Sequence, residues 1–233
     1  MINLHSLILK MKIAVAGEEK RILEFRTIIS KEHEFIESEN FESEFDFSSF
    51  DLIVDLNADD RNKISDSVFS SGKFVLLCAV KKSLTQLLIG KSEFSKVAGI
   101  NSLPTFLSRP IREISLLNQN EISIWEKLFK ALNWKTKIVK DSIGMVTPRI
   151  LFMIINEACF TLEEGTAIRD DIDSGMKMGT AYPIGPFEWA DKIGIKNIYE
   201  TLRAIQESSS ETRYKICPLI ESMFLNKQKF YFV

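Results

Sequence analysis

The run Lys12–Gly17 (KIAVAG) is short, apolar and ends in glycine, and a charged, helix-prone stretch from Glu18 to Ser30 follows it. A strand that turns through glycine into a helix is the local geometry that cradles a dinucleotide pyrophosphate. The chemistry needs G-x-G-x-x-G: the first glycine makes the turn, the second admits the phosphates, and the third packs helix on strand. Here the three positions are Gly17, Glu19 and Ile22, so only the first is glycine. Glu18 and Glu19 place two carboxylates where a doubly charged pyrophosphate would meet backbone N–H groups. Acidic residues at a helix start also serve simply to complement the helix dipole. Glu37 and Glu39 stand near the distance at which an acidic side chain holds a ribose hydroxyl.

Other chemistries have less to work with. The only histidines are His5 and His33, one near the start and one before the second strand-like run. There is no C-x-x-C, H-E-x-x-H, phosphate-loop lysine or G-x-S-x-G, and no histidine cluster for a metal. Cys78, Cys159 and Cys217 lie far apart in apolar neighbourhoods, which predicts buried thiols in a reducing compartment.

The elements that must position these residues are legible as periodic runs. Strand-like segments fall at Lys12–Gly17, His33–Glu37, Asp51–Leu56, Lys73–Val80, Ser95–Gly99 and Ile111–Leu116, with helices expected at Glu18–Ser30 and Asp59–Ser71. Their alternation predicts parallel βαβ units in a doubly wound α/β sheet. Beyond residue 140 the pattern becomes helical. Ile150, Ile154, Ile155, Ala158 and Leu162 recur at helical spacing, and Asp170 or Asp171 is placed to cap the next helix with Met176 on its apolar side. Tyr182–Pro186 reads as a rigid turn before a helix opened by Phe187. The chain is 45% hydrophobic and carries a formal charge of −2 without a basic stripe, which argues against a nucleic-acid surface. Apolar runs such as Ile150–Ile155 fall far short of the ~20 residues a membrane span needs. The start, MINLHSLILK, makes a poor signal peptide, and a cytoplasmic protein is expected.

The segment Asp141–Ile195 carries a resemblance. Its matching pieces, in order, are Arg149, Asn156-Glu157-Ala158, Glu164-Gly165, Asp171-Ile172-Asp173, Met176 and Gly179, then Pro183, Gly185-Pro186-Phe187-Glu188 and Asp191–Gly194. Arg213-Tyr214 and Pro218-Leu219 continue it. This stretch resembles the C-terminal domain of the 3-hydroxyacyl-CoA dehydrogenase family. The resemblance implies a reduced Rossmann-like domain over residues 1–140. It further implies an all-helical domain over residues 141–233, of the 6-phosphogluconate-dehydrogenase-C-terminal type, that dimerises and closes an acyl-CoA cleft. It implies NAD as cofactor, an acyl-CoA or 3-hydroxy acid as ligand, a homodimer, and oxidation of 3-hydroxyacyl-CoA in fatty-acid metabolism. Only Asn40–Phe50, acidic and Phe-rich, stands where family members carry a helical arm that helps hold CoA.

Family members use a histidine base oriented by a glutamate twelve residues later, with a serine and an asparagine holding the substrate oxygen. By resemblance the histidine falls on Asn101, the glutamate on Glu113, the serine on Lys82 and the asparagine on Pro148, with Gly17 left at the cofactor turn. An amide has no titratable nitrogen and cannot take the hydroxyl proton as hydride leaves. Glu113 is expected to pair with Arg109, Arg112 or Arg149. Two readings follow: a dehydrogenase of this family with its hydride chemistry impaired or lost, or a non-catalytic member that binds an acyl ligand or a partner.

Overall fold

A computed structural model describes residues 10–41, 45–91, 96–209 and 211–231, so His5 and Ser95 lie outside the described residues. Its first part holds β1 (Lys12–Ala16), α1 (Glu19–Ile28), β2 (Glu34–Ser38), β3 (Leu52–Asp55), α2 (Asp66–Ser70), β4 (Phe74–Cys78) and α3 (Leu84–Leu87). Then come β5 (Val97–Ile100), β6 (Arg112–Leu116), α4 (Ile122–Ala131) and β7 (Thr136–Val139). The seven strands form one sheet in the order β2-β1-β3-β4-β5-β6-β7.

Both faces of this sheet are covered, which is why its strands read as apolar runs. Along β1, Ile13 and Val15 face one core with Phe25 of α1 and Trp125 and Phe129 of α4. Ala14 and Ala16 face the other, with Val68, Phe69 and Leu84. Phe41, Phe47 and Phe50, from the segment that stands in place of the family's arm, are buried on this second face. Their aromatic area closes the sheet rather than reaching for a nucleotide.

Two sequence expectations need correction. The predicted helix over 59–71 is a 3₁₀ turn at Ala58–Asp60 followed by the short α2. Asp59 accepts the Val80 and Lys81 N–H groups (2.9 and 2.8 Å) and Asp60 the Asn57 amide (3.0 Å), so these side chains hold a non-helical backbone. The sheet is also not uniformly parallel: β6 runs antiparallel to β5, and β7 follows β6.

Residues 147–225 supply α5 (Thr147–Glu163), α6 (Arg169–Gly179), α7 (Pro186–Ile193), α8 (Ile195–Glu207) and α9 (Pro218–Leu225). They share a core with Cys78, Val80, Leu103 and Phe106, so the helices pack onto the loops that follow β4 and β5. The side chains that carried the resemblance hold these helices together. Asn156 bonds the Lys215 carbonyl and the Cys217 N–H (2.9 and 2.8 Å). Asp173, buried, accepts the Phe187 and Glu188 N–H groups at the start of α7 and the Tyr231 hydroxyl. Asp191 accepts the N–H groups of Phe230 and Tyr231. Asp170 and Asp171 sit in the first turn of α6 and cap nothing; Ile168 occupies the cap position. On α5 the buried face is Leu151, Phe152, Ile155, Ala158 and Cys159, while Ile150 is 58% exposed. The three cysteines are buried free thiols.

Candidate active site

The reversal of β6 assembles the site. Ile100 pairs with Ile114 across the antiparallel β5–β6 ladder, so one step further places Asn101 opposite Glu113. A spacing of twelve residues is what this pairing and its connecting loop require. Asn101 and Glu113 line one cavity of about 290 Å³ with Phe106, Arg109, Pro110, Ile111, Thr147 and Trp189. Asn101 is 4% exposed, and its Oδ1 accepts the Leu103 N–H at 3.3 Å.

Glu113 is not paired with an arginine. Its carboxylate accepts the N–H of Val146 (3.2 Å), the N–H of Thr147 (2.8 Å) and the Thr147 hydroxyl, all at the start of α5. A helix start offers unsatisfied N–H groups and the positive end of its dipole, which suits a carboxylate. The three expected partners stack on rings instead: Arg109 over Trp189 (4.5 Å), Arg112 over Trp134 (4.9 Å) and Arg149 over Tyr214 (5.5 Å). Pro148 is buried in the first turn of α5, next to Thr147. Lys82 is elsewhere: its ammonium donates to the Arg61 carbonyl (2.6 Å) and lines a separate cavity with Lys63 and Lys91. Of the four aligned positions, the structure brings Asn101 and Glu113 into the cavity, Pro148 beside it, and Lys82 not at all. Sequence reading missed Thr147 and the orientation of Arg109. The only signal for either was proximity to Pro148 and Glu113 along the chain.

The dinucleotide turn does not fit its cofactor. Gly17 donates its N–H to the Ser38 carbonyl (3.1 Å), and the Glu18 N–H goes to Asn57 Oδ1 (2.8 Å). Those amides are therefore engaged within the chain. A Cβ at Gly17 would lie 2.9 Å from the Leu56 Cβ, so close packing against β3 accounts for this glycine without a phosphate. Glu37 reaches the ribose position at the end of β2, but its carboxylate pairs with Arg26. In open α/β sheets a dinucleotide lies in the crevice beyond the carboxyl ends of the strands. Here the fully buried Arg21 of α1 enters that crevice. Its guanidinium donates to the Leu56 carbonyl just past β3, to Cys78 Sγ at the end of β4 (3.6 Å), to Asp60 (3.0 Å) and to Asn197 of α8 (3.2 Å). Lys81 continues the network to Asp60 and to Glu200 of α8. Burial alone would raise the Asp60 carboxyl, but Lys81 and Arg21 hold it down at about 2.

His33 is buried far from the cavity, where its Nδ1 accepts the Met11 N–H (3.2 Å) and burial lowers its pKa. Among the described residues no group of three His, Cys, Asp or Glu is placed to hold a metal ion, and no helix is long and apolar enough to cross a membrane.

Residues 144–229 match the family 3-hydroxyacyl-CoA dehydrogenase, C-terminal domain. The chain is 28% identical over 194 residues to a 3-hydroxybutyryl-CoA dehydrogenase of Bradyrhizobium diazoefficiens, which is 75% of this chain and 63% of that protein. Over 87 residues, 37% of this chain and 18% of the other, it is 38% identical to a 3-hydroxyadipyl-CoA dehydrogenase of Escherichia coli K12. The chain spans a little under two thirds of the length of the Bradyrhizobium protein and of a 3-hydroxybutyryl-CoA dehydrogenase of Clostridioides difficile, 63% and 66%. In fold it is similar to the (S)-3-hydroxybutyryl-CoA dehydrogenase of Ralstonia eutropha, with a TM-score of 0.70 over 94% of both chains at 20% identity. Residues 144–229 thus match the C-terminal domain of the 3-hydroxyacyl-CoA dehydrogenases, and the seven-stranded sheet with its helical partner has the fold of a solved (S)-3-hydroxybutyryl-CoA dehydrogenase.

Proposed function

We propose that this chain is a family member in which hydride transfer between NAD and a 3-hydroxyacyl-CoA is lost or feeble, and in which the cavity at Asn101 serves as a binding site for an acyl ligand. In this reading residues 1–140 are a degenerate dinucleotide-binding half and residues 141–233 a helical half. The observation that carries it is the pairing at the cavity floor. Asn101 stands where a base is required, and Glu113, the group that would orient a base, is engaged by the start of α5. General acid–base help is worth about 10²–10⁴-fold, and an amide supplies none of it. The amides of Gly17 and Glu18, engaged within the chain, argue against NAD on separate grounds.

We further propose a cytoplasmic homodimer joined through α5. The exposed Ile150, with Arg149, Met153, Ile154 and Tyr214 beside it, leaves an apolar face that the chain's own helices do not cover. The segment Phe187–Leu202, by contrast, is largely buried within the chain.

The test is turnover of acetoacetyl-CoA with NADH. A rate at least about 10²-fold below a family dehydrogenase assayed in parallel is expected. A rate within tenfold of that enzyme would overturn the proposal.

A further inference from the structure

The cavity at Asn101 carries an unpaired cation in apolar surroundings. Arg109 is held at three points: its guanidinium lies over the Trp189 ring at 4.5 Å, its Nε donates to the Thr105 carbonyl at 3.3 Å, and its backbone N–H bonds the Phe106 carbonyl at 3.3 Å. The loop beneath it is pinned from α1. Glu24 accepts the N–H of Thr105 (2.8 Å) and both the N–H and the hydroxyl of Ser108 (2.9 and 2.8 Å). Trp189 in turn donates its indole N–H to the Thr105 hydroxyl (2.9 Å). Thr105 takes a left-handed backbone at φ 77°, a conformation a β-branched residue holds only when its surroundings enforce it. The arginine is thus preorganised rather than trailing in solvent.

What remains free on it has a definite chemistry. Among the described residues, neither terminal nitrogen of Arg109 has a hydrogen-bond or carboxylate partner, and Glu113, the carboxylate that lines the same cavity, is turned to α5. Asn101 uses its oxygen on Leu103, which leaves its NH₂ group as a donor. The walls are Phe106, Ile111 and Trp189. Two parallel N–H groups of a planar guanidinium and one amide donor over an apolar wall match a planar, acceptor-only, bidentate group. A thioester carbonyl offers one neutral oxygen and leaves the guanidinium without its counter-charge. A volume of about 290 Å³ admits a body of a few carbons.

We infer that the cavity binds a short-chain carboxylate, held by the Arg109 guanidinium and the Asn101 amide with its apolar body against Phe106 and Trp189. This rests on the reading that the cavity still binds an acyl ligand, and it names the end of the ligand that is recognised. The carboxylate belongs either to a free acid or to the far end of an acyl thioester.

The experiment is calorimetric titration of the full chain with butanoate, butanamide, butanoyl-CoA and adipyl-CoA, repeated on Arg109→Gln and Arg109→Lys, with urea melts to verify that the variants fold. Butanoate is expected to bind at least tenfold tighter than butanamide. Arg109→Gln removes that preference, and Arg109→Lys keeps part of it. Tight adipyl-CoA binding that needs Arg109, with weak butanoate binding, assigns the carboxylate to a thioester's far end and also supports the inference. Equal affinity for butanoate and butanamide without Arg109-dependent binding of adipyl-CoA, or an unchanged preference in Arg109→Gln, overturns it. Binding of butanoyl-CoA alone overturns it while leaving the acyl-ligand reading in place; binding of none of the four overturns both.

Discussion

The turn at Gly17 and the cavity at Asn101 treat their polar groups in opposite ways. At the turn the polar groups are engaged within the chain: the amides of Gly17 and Glu18 are bonded, and Arg21 makes an ion pair with Asp60 and a hydrogen bond that reaches α8. At the cavity an amide stands opposite Glu113, and the space keeps an aromatic wall and a cation. A region whose hydrogen-bonding groups are refilled from within the chain is part of the fold's stability. A site that has been left open is still available to a ligand.

Substitutions should separate the two regions by size of effect. Arg21→Met deletes a fully buried cation and takes a donor from the Leu56 carbonyl, from Asp60 and from Asn197. Breaking one partner of a buried pair costs about 3–5 kcal/mol, so the urea midpoint should fall sharply. A loss under 1 kcal/mol would mean that the crevice is not built as described.

The acid limb of stability gives the next largest effect. Asp60 is held at about 2 against an ordinary 3.8, so its contribution is complete above about 3.8 and is lost as pH falls toward 2. That shift corresponds to roughly 2 kcal/mol. Asp60→Asn should flatten the stability profile over this window, and an unchanged profile would remove Asp60 from the network.

At the cavity the effects on folding should be small. Thr147→Val takes one of three donors from Glu113 and is expected to cost about 1 kcal/mol. Arg109→Gln, which removes a ring stack at a half-exposed site, should stay within about 1 kcal/mol. Were Arg109→Gln as destabilising as Arg21→Met, the distinction between a refilled and an open region would fail.

The same distinction explains what the sequence could tell. The helical half was legible through Asn156, Asp173, Gly185 and Asp191 because those residues tie helices together at fixed spacings. The strands β1, β3 and β4 showed as apolar runs because both sheet faces are covered. Asn101 and Glu113 were found at the right spacing, but the antiparallel β6 that makes the spacing work was not, since strand direction leaves no mark on an apolar run. The helix α4 and the edge strand β7 went unread: β7 is four residues long and only partly buried, and the apolar face of α4 packs on residues distant in the chain such as Val15 and Phe25. Lys82 was expected at the site from resemblance alone, while the fold directs its ammonium to the Arg61 carbonyl. Glu113 was expected to pair with arginine because charge is visible in sequence and a helix start meeting it from 33 residues away is not.

The most direct measurement is a calorimetric titration of the natural chain with NADH near neutral pH. With the amides of Gly17 and Glu18 engaged, two carboxylates at the turn and Arg21 in the crevice, no binding tighter than about millimolar is expected, an affinity of some −4 kcal/mol. Micromolar binding abolished by a bulky substitution at Gly17 would contradict the account.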